Sequence, residues 1–247
     1  MSNALQLGVN IDHVATLRQA RYTGMLESHN CEPSLLDAAE ICERAGAAGI
    51  TTHLRADRRH IQDGDVFRLR ERIKTKLNLE MGNTPEILEI ALRVKPEDVC
   101  LVPENRREVT TEGGLDAAGQ FDALVPTVRR LKMAGIRVSL FIEPDARQID
   151  AAVALGVPCI ELHTGAFANS QGEPHQRELA RIREAAAYAH GLGLRVNAGH
   201  GINYVNIAEI REVPYLAELN IGHTIVSRAI FVGLEAAVKE LIAAMRG

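Results

Sequence analysis

Carboxylate and imidazole side chains stand at or near the ends of several apolar segments in this 247-residue chain. Glu80 lies within LNLEM and Glu161 within IELHT, where an unpaired carboxylate would be costly to bury. His53 ends GITTH, and His200 stands between two glycines in NAGHG. Acids and bases that converge on one site acquire shifted pKa values and suit proton transfer, each contributing about 10²- to 10⁴-fold. The sequence therefore predicts acid-base chemistry.

Eight short apolar segments could position these residues, because each is followed by a longer segment of helical spacing. The eight are LQLGVNID, GITTHLR, KLNLEMG, DVCLVP, RVSLFIEP, CIELHTG, RVNAGHG and ELNIGHTIV. Such alternation is typical of a parallel sheet covered by helices, and eight units predict an α/β fold, a closed (β/α)8 TIM barrel. Catalytic residues of such barrels lie at the C-terminal ends of the strands. With no linker or low-complexity tract, residues 1–247 are expected to form a single barrel domain.

Glycines mark where the predicted helices end. Gly46, Gly135, Gly156 and Gly193 precede strand segments, where a left-handed C-cap is expected. The last helical segment is RAIFVGLEAAVKELIAAMR. An open doubly wound sheet is the alternative, but GAAG precedes a strand instead of following one, so the glycine fingerprint of that fold is missing.

Composition excludes several functional classes. A net charge of -4 with 4% aromatic residues gives no footprint for nucleic acid. The N-terminus lacks a signal-peptide pattern and no apolar run reaches the length of a membrane span, so a cytoplasmic protein is expected. The cysteines form no CxxC pair, and Cys100 and Cys159 lie in apolar segments. Buried free thiols are therefore expected instead of disulfides or structural zinc.

Two regions favour phosphate. The last two strand segments continue into NAGHGIN and NIGHTIVSRA, where Gly199, Gly201 and Gly222 would let backbone N–H groups approach an anion. Loops in these positions of a barrel often bind phosphate. A second, basic region follows the first two segments, and Arg55 should share a face with His53. Its members are Arg18, Arg21, Arg55, Arg58, Arg59 and His60.

Two other functions stay open at this point. A metal-dependent barrel hydrolase would use the same ligand types, although the first strand reads NIDH without a paired H-x-H, and no HExxH motif occurs. A non-catalytic sensor of phosphorylated ligands would explain the glycine loops, but it has no use for Glu80 and Glu161 within strands.

Seven motifs together resemble the pyridoxine 5'-phosphate synthase family, the PdxJ family, along nearly the whole chain. They are GVNIDHVATLRQAR, HLRADRRHI, LNLEM, LVPENRREVTTEGGLD, IELHTG, NAGHG and ELNIGH. The resemblance implies a (β/α)8 barrel with additional helices, assembled from dimers into a homo-octamer. It implies condensation of 3-amino-2-oxopropyl phosphate with 1-deoxy-D-xylulose 5-phosphate to pyridoxine 5'-phosphate, with release of phosphate and water and without a metal or organic cofactor.

The resemblance also assigns roles to individual residues. His53 and Glu80 match proton acceptors, His200 matches the proton donor, and Glu161 matches a carboxylate that stabilises charged intermediates. The residues that match the binding site of the amino ketone phosphate are Asn10, Arg21, Gly201, Gly222 and His223. Those that match the binding site of the deoxyxylulose phosphate are Asp12, His13, Arg55, His60 and Thr110.

One segment departs from the family pattern. After Arg21 this chain reads YTGMLESHNCEPSLL, which is several residues longer than a Tyr-Pro-Asp-Pro-like run that is common there. We expect the longer segment to lie at the surface and to leave turnover intact.

Overall fold

The computed structural model describes residues 4–104 and 113–247, and its eight strands close into a barrel in chain order. Each strand pairs in parallel with the next, and the eighth pairs with the first. The strands are β1 Gln6–Asn10, β2 Gly49–His53, β3 Lys76–Met81, β4 Asp98–Leu101, β5 Arg137–Ile142, β6 Cys159–His163, β7 Arg195–Gly199 and β8 Leu216–Ile221. The predicted (β/α)8 barrel is confirmed.

Helices cover the outside of the barrel, as the alternating pattern predicted. In the described part of the chain they are α1 Asp12–Tyr22, α2 Leu35–Ala45, α3 Asp63–Arg72, α4 Pro85–Val94, α5 Phe121–Met133, α6 Ala146–Leu155, α7 Gly165–Ala168, α8 Gly172–Gly191, α9 Ile207–Ile210, α10 His223–Val232 and α11 Leu234–Arg246. None of the helices among residues 4–104 and 113–247 is long and apolar enough to cross a membrane.

The interior of the barrel is polar, and the apolar core lies between strands and helices. On β3 the outward residues Leu77 and Leu79 are fully buried in that core. The alternate residue Lys76 places its Nζ 2.6 Å from Oε2 of Glu218 on β8. Strands β3 and β8 are not neighbours, so this contact crosses the interior. Side chains alternate along a strand, which explains how Glu80 can interrupt an apolar sequence.

The end of the chain differs from the sequence-based prediction in two places. The segment HTIV was predicted to continue the eighth strand, but β8 ends at Ile221 and α10 begins at His223. Short apolar runs fit either structure, and here the N–H groups of Ile225 and Val226 bond to the oxygen of Gly222 in a helical turn. The predicted last helix is divided at Gly233, whose φ of 82° ends α10.

The predicted glycine turns and buried thiols are both found. Gly46 and Gly156 cap α2 and α6 with φ values of 104° and 68°, and Gly135 and Gly193 also have positive φ. All four cysteines are free. Cys100 and Cys159 are buried, in agreement with their apolar sequence context.

Candidate active site

A cavity of about 640 Å³ opens at the C-terminal ends of the strands. Its wall consists of strand ends, the loops that follow them and the first turns of α1 and α10. Twelve of the fourteen predicted site residues line it: Asn10, Asp12, His13, His53, Arg55, His60, Glu80, Glu161, His200, Gly201, Gly222 and His223. Residues distant in sequence therefore meet around one space large enough for a small ligand.

Two predicted residues are not placed in this cavity. Arg21 is exposed in the last turn of α1 and does not line the cavity. Arg18, three residues earlier, is buried and bonds Asp65 at 2.7 Å instead. Thr110 lies outside the described residues. The longer segment after Arg21 runs along the surface in turns, as expected.

Glu161 sits deep in the barrel, only 3% exposed. Its Oε2 accepts a hydrogen bond of 2.6 Å from Asn220, whose Oδ1 in turn accepts a bond of 2.9 Å from Thr51. Burial raises the pKa of Glu161 to about 7, with the charge of Glu218 adding to the shift, because an apolar environment disfavours the charged form. Glu161 can therefore exchange a proton near neutral pH.

Glu80 stands beside further carboxylates. Burial, together with the charges of Glu161 and Asp12, raises the pKa of Glu80 well above its usual range. Asn10 connects the group, since its Nδ2 lies 3.0 Å from Asp12 and 3.5 Å from Glu80. A carboxyl group that is buried beside other negative charges favours its protonated form. Glu80 can therefore take up a proton more readily than an exposed glutamate.

His53 ends β2 and is held from two sides. Its backbone N–H donates to Oδ1 of Asp12 at 2.9 Å, so the start of α1 fixes the end of β2. Its Nε2 lies 3.1 Å from Oε1 of Glu104, a residue that follows β4. The ring is buried but lines the cavity, which suits a base that acts on a bound ligand.

His200 occupies a left-handed backbone conformation with φ of 83°, which is uncommon for a residue other than glycine. The hydroxyl of Thr164 lies 2.7 Å from the oxygen of Gly199 and 2.6 Å from that of His200, and so holds the strained turn. Burial lowers the pKa of His200 to about 4, and neighbouring His163 and His13 add to the shift. The imidazole is therefore neutral at pH 7.

His163 and Glu143 form a second carboxylate-imidazole pair, besides His53 and Glu104, and His163 contacts the ring of His200. Nδ1 of His163 is 2.7 Å from Oε1 of Glu143, and the rings of His163 and His200 meet edge to face with centroids 5.2 Å apart. The hydrogen bond from His163, with help from the Gly114 N–H and Arg181, lowers the pKa of Glu143. No individual role was predicted for Glu104, Glu143 or His163 from sequence. Their one signal was position, since each ends or follows a predicted strand.

Two sides of the cavity are suited to anions. On one side α10 begins at His223, directly after Gly222, and the N-terminus of a helix attracts negative charge. On the other side lie Arg55, only 2% exposed, and Arg59. The glycine region and half of the basic region, Arg55, Arg59 and His60, thus border the same cavity. Arg58 does not line it and pairs with Asp63 and Glu86.

The cavity contains side chains of the types that bind metal ions, imidazoles and carboxylates. Within the described ranges, no cluster of three or more histidine, cysteine, aspartate or glutamate side chains is arranged to hold a metal ion. The carboxylates and imidazoles instead bond to amide, hydroxyl and backbone groups, as at Glu161 and His53.

Comparison with known proteins adds to this geometry. A family model described as pyridoxal phosphate biosynthesis protein PdxJ matches residues 7–247. The pyridoxine 5'-phosphate synthase of Akkermansia muciniphila is 60% identical over 95% of this chain and 96% of that protein. The synthase of Opitutus terrae is 59% identical with the same coverage, and that of Photobacterium profundum is 56% identical over 97% and 96%.

Solved structures share the fold at low sequence identity. KGPDC from Streptococcus mutans superposes with a TM-score of 0.65 at 10% identity, covering 99% of this chain and 98% of that one. Phosphoribosyl anthranilate isomerase from Thermus thermophilus gives a TM-score of 0.61 at 13% identity, with 98% of both chains covered. At such identities the likeness concerns the barrel alone.

Proposed function

The chain belongs to the PdxJ family of pyridoxal phosphate biosynthesis proteins, and we propose that the cavity at the barrel mouth is where it carries out the family's ring closure. The enzyme is a pyridoxine 5'-phosphate synthase, which condenses 3-amino-2-oxopropyl phosphate with 1-deoxy-D-xylulose 5-phosphate and releases inorganic phosphate and water. We place the reaction in this cavity because acid-base residues lie there between two sides that favour anions.

Ring closure requires many proton transfers, and the cavity provides groups on opposite sides for them. The amine of one substrate attacks the ketone of the other with loss of water. The resulting Schiff base loses protons and a second water, expels phosphate, adds water in its place, closes by an aldol step and dehydrates. We assign His53 and Glu80 as proton acceptors and His200 as the proton donor. Residues on three different strand ends can reach different faces of a growing ring, which one residue cannot do.

The low pKa of His200 fits a donor that is loaded by the substrate. Burial and neighbouring imidazoles hold His200 neutral. A phosphate bound beside Gly201 places negative charge next to the ring, and an opposite charge favours the protonated form. Binding of the amino ketone phosphate therefore raises the pKa of His200, which takes up from its surroundings the proton that it later gives up. Glu161, with its pKa near 7, stabilises positive charge that develops on the Schiff base.

Both substrates are proposed to bind by their phosphates. Gly201, Gly222, His223 and Asn10 surround the amino ketone phosphate, supported by the N-terminus of α10. The deoxyxylulose phosphate is bound by Asp12, His13, Arg55, His60 and, from outside the described residues, Thr110. No metal ion or organic cofactor is needed for proton transfer of this kind, and we propose a cytoplasmic enzyme.

Arg21 needs a separate account, because it does not reach the cavity of its own chain. A contact with substrate phosphate requires either movement of the end of α1 or the cavity of a second copy. We propose a homo-octamer built from dimers, supported by exposed apolar residues in the last turn of α10. Ile230 is 74% exposed and Phe231 81%, which is unusual for large apolar side chains without a partner. Sedimentation of the purified protein tests this assembly.

The function is tested by supplying both phosphorylated substrates to the purified protein with and without a chelator, and following pyridoxine 5'-phosphate. Product in both conditions is expected. A metal-dependent hydrolase would instead lose activity with chelator and contain zinc by elemental analysis. A sensor would bind the substrates without product.

A further inference from the structure

Glu104 is held in one position by three hydrogen bonds. Its Oε1 lies 3.1 Å from Nε2 of His53 and accepts the N–H of Gly82 at 3.1 Å. Its Oε2 accepts the N–H of Ala56 at 3.1 Å. The side chain is only 15% exposed, and a Cβ added at Gly82 would lie 2.8 Å from its carboxyl carbon. The carboxylate is thus fitted closely against the end of β3.

The hydrogen-bond partners of Glu104 keep it ionised. Burial alone would raise its pKa, but the hydrogen bonds from His53, Ala56 and Gly82 outweigh burial and lower it. An ionised carboxylate can only accept hydrogen bonds. The hydrogen between the two side chains therefore belongs to Nε2 of His53. In a neutral imidazole the other nitrogen, Nδ1, then carries the lone pair.

We propose that Glu104 is a positioning residue for catalysis, which holds His53 in the tautomer whose Nδ1 accepts the substrate proton. The inference rests on the proposed function, in which His53 is a proton acceptor, and it assigns the basic nitrogen. Two anchors fix the imidazole: Asp12 binds the backbone N–H of His53 at 2.9 Å, and Glu104 binds its ring. The carboxylate also stabilises the imidazolium that forms when His53 accepts a proton.

Two substitutions separate the contributions of Glu104. In Glu104→Gln the amide oxygen can still accept from His53, but the charge is lost. In Glu104→Ala both the hydrogen-bond acceptor and the charge are lost. We expect kcat to fall in the order wild type, Gln variant, Ala variant, by about 100-fold or more for Ala. The KM of each substrate should change less than threefold, roughly, because Glu104 does not line the substrate cavity.

Glu43 provides the matched control. Its Oε1 accepts the N–H groups of Lys74 and Thr75 at 2.7 and 2.6 Å and the Thr75 hydroxyl at 2.8 Å, so it also ties chain segments together. It lies at the end of α2 and does not line the cavity. Glu43→Gln and Glu43→Ala should lower stability, as a structural carboxylate does, and leave kcat unchanged.

The tautomer is read directly by ¹⁵N NMR of the imidazole nitrogens, with the signals of His53 identified by their loss in His53→Asn. Wild type should show a protonated Nε2 and an unprotonated Nδ1, and Glu104→Ala should show a mixture. The NMR measurement does not require turnover. It can therefore disprove the tautomer even if the protein is a synthase, and support the tautomer even if the protein makes no product. A protonated Nδ1 in wild type, or a Glu104→Ala kcat equal to that of Glu43→Ala, would overturn the inference.

Discussion

Nδ1 of His13 lies 2.9 Å from Nδ1 of His223, although 210 residues separate them in the chain. The rings meet edge to face with centroids 4.9 Å apart. Only one of the two facing nitrogens can carry a hydrogen in such a bond. Burial and the nearby charge of His223 lower the pKa of His13, which keeps the pair from becoming doubly protonated. The bond thereby joins the loops that follow the neighbouring strands β1 and β8, at the edge of the cavity.

This bond predicts that the two histidines do not act independently. By family resemblance His13 and His223 bind different substrates, so each single change to Asn should raise the KM of both substrates, by about tenfold. The double variant should be little worse than either single variant. Steady-state kinetics of all three test this, with His190→Asn as control, because His190 stacks on Tyr215 and does not line the cavity. Fully additive effects would contradict the coupling.

His53→Asn should remove a proton acceptor while leaving the fold intact. The substitution keeps the backbone N–H that bonds Asp12, and Asn is small enough for the buried site. We expect kcat to fall by about 10²- to 10⁴-fold with an unchanged circular dichroism spectrum. Near-normal turnover in the folded variant would remove His53 from the mechanism.

Glu161→Gln should stabilise the protein increasingly as pH rises. The pKa of Glu161 is raised from 4.5 to about 7 on folding, so between these values the folded state binds more protons than the unfolded state. The free energy of unfolding of wild type therefore falls as pH rises through this window. Gln does not titrate, and the variant should gain up to about 3 kcal/mol on wild type between about pH 5 and pH 8.

Urea unfolding at both pH values measures the effect of Glu161→Gln. Glu173→Gln is the control, since Glu173 is exposed in α8 and pairs with Arg177 across one helical turn. Its stability difference from wild type should change little with pH. A Glu161→Gln variant that loses stability relative to wild type as pH rises would contradict the raised pKa.

Gly201→Ala should weaken binding of the amino ketone phosphate more than binding of the sugar phosphate. Gly201 has φ of 76°, and an added Cβ would lie 2.5 Å from the Cβ of Ala168, so the loop that borders the phosphate must shift. We expect the KM for the amino ketone to rise by about tenfold or more. Gly193→Ala is the matched control, because Gly193 also has a positive φ, 84°, but no atom lies within 4 Å of an added Cβ.

The two glycine variants share the backbone strain of a left-handed alanine, which costs about 1 kcal/mol. Both should therefore lose at least that much stability, Gly201→Ala more because of its contact with Ala168, while only Gly201→Ala changes KM. An equal rise in KM for both substrates, or for both variants, would show that the glycine loop does not contact the amino ketone phosphate.

Much of the barrel could be predicted from sequence because its signals are local. The segment PEILEIALRV coincides with α4, where a Thr cap, a first-turn Pro and helical spacing agree. The end of β8 was placed wrongly because HTIV suits a strand as well as a helix. Whether HTIV forms a strand or a helix is decided by the turn at Gly222, which depends on tertiary structure and not on the local sequence.

The site was predicted as far as side-chain type and strand position allow. Convergence of Glu80, Glu161 and His200 follows from the barrel, since all strand ends meet at one rim. The pairing of Glu104 with His53 could not be read from sequence, because it depends on the direction in which the chain leaves β4. The exposed position of Arg21 likewise depends on how far α1 extends past the cavity.

The most direct test of the account is to measure inorganic phosphate and pyridoxine 5'-phosphate together while each substrate is omitted in turn. We expect both products in equal amounts when both substrates are present, and neither when one is missing. Phosphate released from a single substrate, without pyridoxine 5'-phosphate, would contradict a ring-closing synthase.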